Sequence, residues 1–389
     1  MTLNVPLPMI GRARRASSTA LVGVFNAAHP GDVAALSDWL EQLPAGARLR
    51  AVLGKTEGNG CVNDFTRAYA SEAVRAAIAS APNHGHAAAA AASVVMSGGT
   101  EGVLSPHLIA FADVAAPPGV SGGLAIGVAR TRELHPEEIG TSAQVVATRT
   151  AVEAACADAG LAPSAVRYAQ IKCPLLTAER IAAARDARGA VCATDDAYFS
   201  MALSRGASAL GVAVATGELR GDAAAAALAD SSVIARDFRL ESAVAAASAG
   251  VELMCSEVMV LGEREAAPGE SGGDGALRAA TAVMADALDV PSVLESLEAR
   301  GLRSKHGQLD EDARRRVVAV LAKADPAPSV RGRRTTMATD SDIHATRHAR
   351  AALGGALAAA FGDARLFVSG GAEHQGPPGG GPVVVIYRG

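Results

Sequence analysis

Residues 97–101 have the sequence SGGTE, and this pattern of a serine, two small residues, a variable residue and a glutamate occurs twice more. The other copies are SAGVE at 248–252 and SGGAE at 369–373. The apolar runs before the first and third copies indicate buried strands, whereas the Ala-rich run before the second leaves strand and helix open. Small residues after a serine let backbone N–H groups approach a ligand oxygen closely. Three such positions predict three equivalent units.

Two further features recur in step with these serines. A strand-like apolar run ends in a lysine ahead of each serine, at Lys55, Lys172 and Lys323. Each lysine is separated from its serine by a hydroxyl–arginine pair, namely Thr66-Arg67, Ser204-Arg205 and Thr346-Arg347. The same order three times indicates an internal repeat rather than three unrelated loops.

Length and composition bound the class of protein. The 389 residues are 49% hydrophobic and only 3% aromatic, which suffices for a large core of Ala, Val and Leu in two or three domains. A net charge of -4 gives no reason to expect nucleic acid, and the most Ala-rich run, residues 87–92, is too short to cross a bilayer. The N-terminal residues lack the apolar core of a signal peptide. Five cysteines without a CxxC motif favour a reducing compartment, so we expect the cytoplasm.

The periodicity predicts an α+β fold with three units, each a small sheet with helices. We place the units at 1–115, 122–262 and 268–389, with a Pro-rich break after the first and a Gly/Pro/Glu-rich linker at 263–275. Helical spacing occurs at 32–43, 71–79, 142–159, 177–187, 222–229, 280–287 and 342–361, and branched apolar runs predict strands at 257–261 and 383–387. Strands leading into each Lys and Ser, with helices between them, give the three units one plan.

Serine, lysine and arginine together indicate acyl transfer. A serine hydroxyl is a poor nucleophile until a base takes its proton, and a lysine can be that base when it is neutral. Burial and neighbouring cations both lower a lysine pKa, and three lysines with three arginines in one cavity would provide both. Backbone N–H groups after the serine could stabilise an oxyanion, and arginines could hold carbonyl oxygens. This chemistry, cleavage of an amide by a Ser–Lys pair, needs no metal or other cofactor.

Longer motifs carry a resemblance to a known family. They are GKTEGNG at 54–60, NDFTR at 63–67, MSGGTEG at 96–102, SAGVEL at 248–253 and the tail at 369–382. Over nearly its whole length the chain resembles the ring-opening cyclic amide hydrolases, the cyanuric acid amidohydrolase and barbiturase family. The resemblance implies three homologous units around a pseudo-threefold axis, with a Ser–Lys pair from each lining one central site. It also implies a homotetramer.

The resemblance assigns roles to individual residues. It makes Ser248 the nucleophile and Lys172 its base, acting on a cyclic imide. The most favoured reaction opens cyanuric acid to carboxybiuret, which then gives biuret and CO2. Substrate binding would fall to Lys55, Arg67, Ser97, Gly98, Arg205, Ala249, Lys323, Ser369, Gly370 and a third arginine. That arginine is either Arg347 or Arg350, which lie about one helical turn apart.

The family also has a structural cation, Mg²⁺ or Ca²⁺, that takes no part in the chemistry. Its backbone ligands correspond to Ala372, Gln375, Gly376, Pro377 and Gly380, because a Gly/Pro-rich loop can turn several carbonyls onto one hard cation. Where the family usually carries a glutamate two residues after the third lysine, this chain has Asp325, whose side chain is shorter.

The sequence leaves three alternatives open. The chain could be a barbiturase, which differs in ring substrate rather than in these residues. It could also be a small-molecule binder of the same architecture without catalysis, although Ser248 and Lys172 are both present. Zinc could bind at His84 with His86, or at His344 with His348, but neither pair has an evident third ligand nearby.

Overall fold

The apolar run that ends in Lys55 forms an inner strand of a four-stranded sheet. The structure is a computed structural model that describes residues 18–266, 268–270, 273 and 275–389. The N-terminal residues that we interpreted as lacking a signal peptide, and part of the 263–275 linker, lie outside the described residues. The first sheet contains β1 (Ser18–Asn26), β2 (Arg48–Thr56), β3 (Ser93–Gly98) and β4 (His107–Ala115), in the order β1-β4-β2-β3. Its helices are α1 (Ala34–Glu41), α2 (Phe65–Ser80) and α3 (Gly85–Ala91).

The second sheet repeats this plan in the order β5-β8-β6-β7. Its strands are β5 (Gly123–Arg130), β6 (Val166–Pro174), β7 (Ala245–Gly250) and β8 (Glu257–Arg264). The helices are α4 (Ser142–Ala159), α5 (Ala178–Arg188), α6 (Ala197–Thr216) and α7 (Gly221–Ala229). Thr141 and Thr177 cap α4 and α5 by accepting a backbone N–H in the first turn, which fixes where these helices begin.

The third sheet has the order β9-β16-β12-β15. In chain order its segment contains β9 (Leu277–Met284), α8 (Val290–Glu298), β10 (Ser304–Lys305), β11 (Gln308–Leu309), α9 (Glu311–Arg316), β12 (Val317–Ala324), β13 (Ser329–Val330), β14 (Arg333–Arg334), α10 (Ala345–Phe361), β15 (Phe367–Gly370) and β16 (Gly381–Arg388). The two short pairs β10-β11 and β13-β14 stand apart from this sheet.

Pairing within the sheets repeats in detail. In each sheet the strand with the lysine runs parallel to the strand with the serine and antiparallel to its other neighbour. Each lysine strand also has a register shift that begins at the same distance before its lysine, at Leu49, Val166 and Val317. Such irregularities bend the strand and increase its local twist, and they are regular structural features rather than defects. The recurrence supports the predicted α+β fold with three repeat units.

Both faces of the sheets are buried, which explains why their inner strands are continuous apolar runs. In β2, Val52 packs against the helices of its own unit, whereas Ala51 and Leu53 face a core that all three sheets share. In β12, Val320 packs on its own helices and Leu321 enters the shared core. The remaining sheet contributes to that core through residues such as Tyr168 and Ile126. The three units therefore meet around one apolar centre.

Two secondary-structure predictions fail. The helix predicted at 280–287 is wrong, because β9 occupies Leu277–Met284 and pairs with β16 along its whole length. Alanine favours helices, but the cross-strand partners determine the outcome here. The prediction also misses α6, which is buried on almost every side and so shows no alternation of apolar and polar residues. The Ala-rich run before Ser248 is a strand, β7, and β8 continues two residues into the predicted linker.

No helix within the described ranges is long and apolar enough to span a membrane.

Packing of α4 on β5 depends on Gly127. A Cβ added there would lie 2.0 Å from the carbonyl oxygen of Ala155 in α4. We expect Gly127→Ala to lower the free energy of unfolding by about 1–3 kcal/mol or more, because backbone must move. Gly355, within α10, is the matched control, since a Cβ there meets nothing within 4 Å. Gly355→Ala should raise the stability by about 1 kcal/mol. Urea unfolding would measure both, and equal stabilities for the two variants would contradict this packing.

Candidate active site

Three Lys–Ser pairs lie at the ends of neighbouring parallel strands. The sequence separates each lysine from its serine by many residues, but the strand register places them side by side, Lys55 with Ser97, Lys172 with Ser248 and Lys323 with Ser369. Directly paired residues on adjacent strands project to the same face of a sheet. The repeat found in the sequence is thus a repeat of a local arrangement in space.

The serine ends of all three sheets converge on one pocket. Its lining comes from every unit and comprises Gly60, Arg67, Ser97, Gly98, Tyr198, Met201, Arg205, Ser248, Ala249, Thr346, Arg350, Ser369 and Gly370. The three lysines are almost completely buried, each only 1% exposed. The structure therefore brings together the predicted serines, their small neighbours and three arginines.

Each lysine Nζ also contacts a second unit. It donates a hydrogen bond to the carbonyl oxygen of the residue just before a serine of another unit. The bonds run from Lys55 to Val368 (2.7 Å), from Lys172 to Met96 (2.7 Å) and from Lys323 to Ala247. Together they form a closed cycle that links the three units around the pocket.

Burial lowers the pKa of all three lysines. For Lys55 the pKa is well below its usual range because of burial and then the Arg350 guanidinium. For Lys323, burial and Arg205 lower the pKa to about 7. Burial also lowers the pKa of Lys172, although the nearby carboxylate of Glu252 opposes this effect. Each shift favours the neutral amine, which is the form that a general base requires.

The three serine hydroxyls are not equivalent. Lys55 Nζ lies 3.3 Å from Ser97 Oγ, and Lys323 Nζ lies 3.1 Å from Ser369 Oγ. Ser248 Oγ is buried and makes no hydrogen bond to any residue that the structure describes. Its neighbour Lys172 instead has Nζ 2.9 Å from Glu252 Oε1. The hydroxyl that borders the pocket without a partner is therefore the one in the middle copy.

The third arginine of the pocket is Arg350. Arg67, Arg205 and Arg350 are all buried pocket residues. The side chain of Arg347 is 40% exposed, lies 3.4 Å from Glu101, and is not part of the pocket lining. The hydroxyl–arginine motif thus identifies the pocket arginine in two units but misses it by one helical turn in the third.

The residue after each serine differs because the space around it differs. A Cβ at Gly98 would lie 1.9 Å from Asp64 Oδ2, and one at Gly370 would lie 2.9 Å from the Arg350 guanidinium. Ala249 accommodates its methyl group in the middle copy and is buried. Its carbonyl accepts a hydrogen bond of 3.0 Å from Arg67 Nη1. Of these three positions, the middle one has room for a methyl group and the other two are glycine.

Several residues of the site were not predicted. Tyr198 and Met201 lie on α6, which the periodicity did not reveal. Glu101, Glu252 and Glu373 close the three serine motifs, and each of them forms an ion pair with a buried lysine or arginine of the site. Their recurrence in the pattern itself was the available signal, because a glutamate at a fixed distance from three serines suggests a shared role.

The predicted backbone ligands of the cation lie in the loop between β15 and β16, and Asp325, which follows β12, contacts that loop. Asp325 accepts hydrogen bonds from the backbone N–H groups of Ala372 (3.0 Å) and Gly379 (2.9 Å), so its shorter side chain still reaches the loop. Burial, together with the charge of Glu373, raises the pKa of Asp325. Both carboxylate oxygens of Asp325 thus accept backbone N–H groups of the loop that carries the predicted ligands, and carboxylate and carbonyl oxygens are the donors that Mg²⁺ and Ca²⁺ prefer.

The second of the two candidate histidine pairs, His344 and His348, has other neighbours. His344 Nδ1 lies 3.0 Å from Tyr198 Oη, and His348 Nε2 lies 3.2 Å from Asp340. Across the part of the chain that the structure describes, no group of three or more His, Cys, Asp or Glu side chains is arranged to hold a metal ion. The geometry therefore gives the zinc alternative no third ligand.

Comparisons with known proteins identify the family of this chain. Residues 21–388 match the family described as "Amidohydrolase ring-opening protein". The cyanuric acid amidohydrolase of Bradyrhizobium diazoefficiens is 49% identical over 95% of this chain and 99% of its own length. That of Pseudomonas sp. (strain ADP) is 47% identical over 92% of this chain and 96% of its own length.

Solved structures give the same result. The cyanuric acid hydrolase of A. caulinodans has a TM-score of 0.83 and 44% identity, covering 95% of this chain and 99% of its own. Another solved structure is described as a cyanuric acid hydrolase and as an evolutionary innovation by structural concatenation. Its TM-score is 0.85 and its identity 43%, and the match covers 96% of this chain and 100% of its own. The fold and the match define a hydrolase that acts on a cyclic amide. The chain belongs to the family of ring-opening amidohydrolases.

Proposed function

We propose that this protein hydrolyses cyanuric acid to carboxybiuret, with Ser248 as nucleophile and Lys172 as general base. The observation that carries the proposal is the meeting of three Lys–Ser pairs and three arginines around one pocket. Cyanuric acid has three carbonyl groups that alternate with three N–H groups, so it presents the same groups to each unit. The names of the relatives favour this substrate over barbituric acid.

Neutral Lys172 would take the Ser248 proton as Oγ bonds to a ring carbonyl carbon. The resulting ammonium gives that proton to the ring nitrogen as the C–N bond breaks and the ring opens. Water then attacks the acyl-serine and loses a proton to Lys172, which returns it to Ser248 Oγ as the ester bond breaks and carboxybiuret leaves. This product is a carbamate that loses CO2 to give biuret. Backbone N–H groups after Ser248 would stabilise the oxyanion formed in each attack.

The other two pairs and the arginines would bind the ring. Arg67, Arg205 and Arg350 each direct a buried cation towards the pocket, where charge-assisted hydrogen bonds to carbonyl oxygens are strong. Ser97 and Ser369 would contact the ring at the two remaining positions. Their lysines, Lys55 and Lys323, would contribute to the electrostatic field that favours neutral Lys172. We expect the protein to be a cytoplasmic homotetramer with no nucleic-acid partner.

Removing either member of the proposed pair should stop turnover. We expect Ser248→Ala and Lys172→Ala each to lower kcat for cyanuric acid by at least about 10³-fold while the fold is retained. Because the two groups act together, the double variant should be hardly slower than either single one. Biuret release and circular dichroism would be measured in parallel. A near wild-type rate in either variant would refute the assignment, and no turnover by the wild type of cyanuric or barbituric acid would favour the silent binder.

The pocket arginine should matter far more than its neighbour on the same helix. Arg350→Ala removes a buried charge-assisted hydrogen bond of about 1.5–3 kcal/mol, so kcat/KM for cyanuric acid should fall by roughly 10- to 150-fold. Arg347→Ala is the matched control, since it truncates an arginine outside the pocket lining, and we expect a loss of less than about threefold. Steady-state kinetics of the two variants with cyanuric acid would measure both values of kcat/KM. A greater loss for Arg347→Ala would show that the third contact is misassigned.

We further propose that Mg²⁺ or Ca²⁺ binds at the loop of residues 372–380 and at Asp325 and has a structural role. Treatment with a chelator should lower Tm, and either cation should restore it. Asp325→Asn, which removes the carboxylate charge, should reproduce the lower Tm and abolish the response to the chelator. Turnover per folded molecule should change little, because the loop carbonyls are not the reacting groups. Loss of turnover without loss of Tm would instead indicate a catalytic metal.

A further inference from the structure

The glutamates that close the serine motifs pair with arginines in two of the three copies. Arg350 forms two bonds to Glu101, at 2.8 and 2.5 Å, and Arg205 forms two bonds of 2.7 Å to Glu373. Each pair joins two different units. By the threefold repeat, the third such pair would consist of Arg67 and Glu252.

The middle copy departs from this rule. Glu252 Oε1 lies 2.9 Å from Lys172 Nζ. Arg67 donates to the backbone carbonyls of Ala249 and Cys61, at 3.0 and 2.6 Å. The carboxylate that holds an arginine in two copies is thus next to the lysine in the third. The lysine in question is the one beside the unpartnered Ser248 hydroxyl.

The backbone conformation provides an independent sign of this departure. Gly99 and Gly371 have φ of 101° and 81°, and a Cβ on either would come within 2.6 Å of the guanidinium of Arg350 or Arg205. Gly250, the equivalent residue, continues β7 and is not among the glycines with positive φ. A Cβ there would lie 2.2 Å from Glu252 Oε2. The carboxylate therefore occupies, against Gly250, the place that a guanidinium occupies in the other copies.

The surroundings of Lys172 show what this carboxylate can do. Lys172 is buried and faces the charge of Arg67 and the Cys173 thiol as well as Glu252, which also faces Arg180. Burial and Arg67 lower the pKa of Lys172, and Glu252 alone among the facing side chains with a net charge raises it. Without Glu252, an ammonium formed at Lys172 during serine attack would face the Arg67 guanidinium with no carboxylate beside it among the groups named above. Such a charge in a dry site is costly unless it is paired.

We propose that Glu252 is the third member of a Ser248–Lys172–Glu252 triad and that its placement selects the middle pair for catalysis. This inference rests on the proposed function. As Ser248 Oγ bonds to the ring carbonyl carbon, its proton moves to Lys172 Nζ, and Glu252 stabilises the ammonium until the proton passes to the ring nitrogen. Glu252 itself gains no proton. It is a positioning residue that acts through Lys172, in the way that a carboxylate supports the base of a Ser-His-Asp triad.

The test compares three equivalent substitutions. Glu252→Gln should lower the plateau of kcat by about 10- to 100-fold, because the ammonium loses its counter-charge. Since the reaction needs neutral Lys172, the rate rises with pH through the Lys172 pKa. Removing a charge that raises this pKa should shift the acidic limb of the kcat profile to lower pH. Glu101→Gln and Glu373→Gln free an arginine instead, so they should raise KM for cyanuric acid and leave the acidic limb in place.

Two further measurements complete the test. Glu252→Asp keeps the charge on a shorter side chain and should restore the acidic limb towards that of the wild type. NMR of the lysine amino groups, with Lys172 assigned by its loss in Lys172→Ala, should give a lower Lys172 pKa in folded Glu252→Gln even if turnover is undetectable. An unchanged Lys172 pKa, or the same kinetic change in all three glutamine variants, would overturn the triad. Activity in Ser248→Ala or Lys172→Ala would refute the proposed function itself, a separate outcome.

Discussion

The cycle of bonds from lysine Nζ to carbonyl oxygen is the interaction on which the site depends. Each bond joins one unit to the next at the residue before a serine, so the three serine strands are held at fixed distances around the pocket. The lysines are buried in this position, which lowers their pKa values, and the arginines beside them lower these values further. One set of contacts therefore both assembles the units and prepares amines that can act as bases.

The threefold plan is most informative where it fails. Equivalent residues in the three copies share strand register, buried lysines and pocket serines, so a difference in contacts stands out against two internal references. Ala249 replaces a glycine, the glycine after it lacks positive φ, and Glu252 lies next to a lysine. All three departures fall within the middle motif itself, residues 248–252. Because the units are parts of one chain, each copy can change without changing the others.

The sequence predicted which residues form the site better than it predicted how they are oriented and what they contact. The serines, lysines, two of the arginines and the repeat were evident because they recur in a fixed order. Arg350 could not be separated from Arg347, since only the rotation of α10 decides which one faces the pocket. Helix α6 was missed because burial on almost every side removes its periodicity. Gly250 lacks the positive φ of its equivalents and Glu252 lies beside Lys172, and sequence spacing specifies neither feature.

The apolar core shared by the three sheets has a consequence for how the chain is made. One face of each sheet is completed only by the other two. During synthesis the first two sheets emerge while the third, from Leu277 onwards, is still missing. At 5–20 residues per second, roughly 6 to 23 s pass before the last strand is available. Over that interval the inner faces of β2 and β6 lack the apolar surface of the third sheet that covers them in the finished fold.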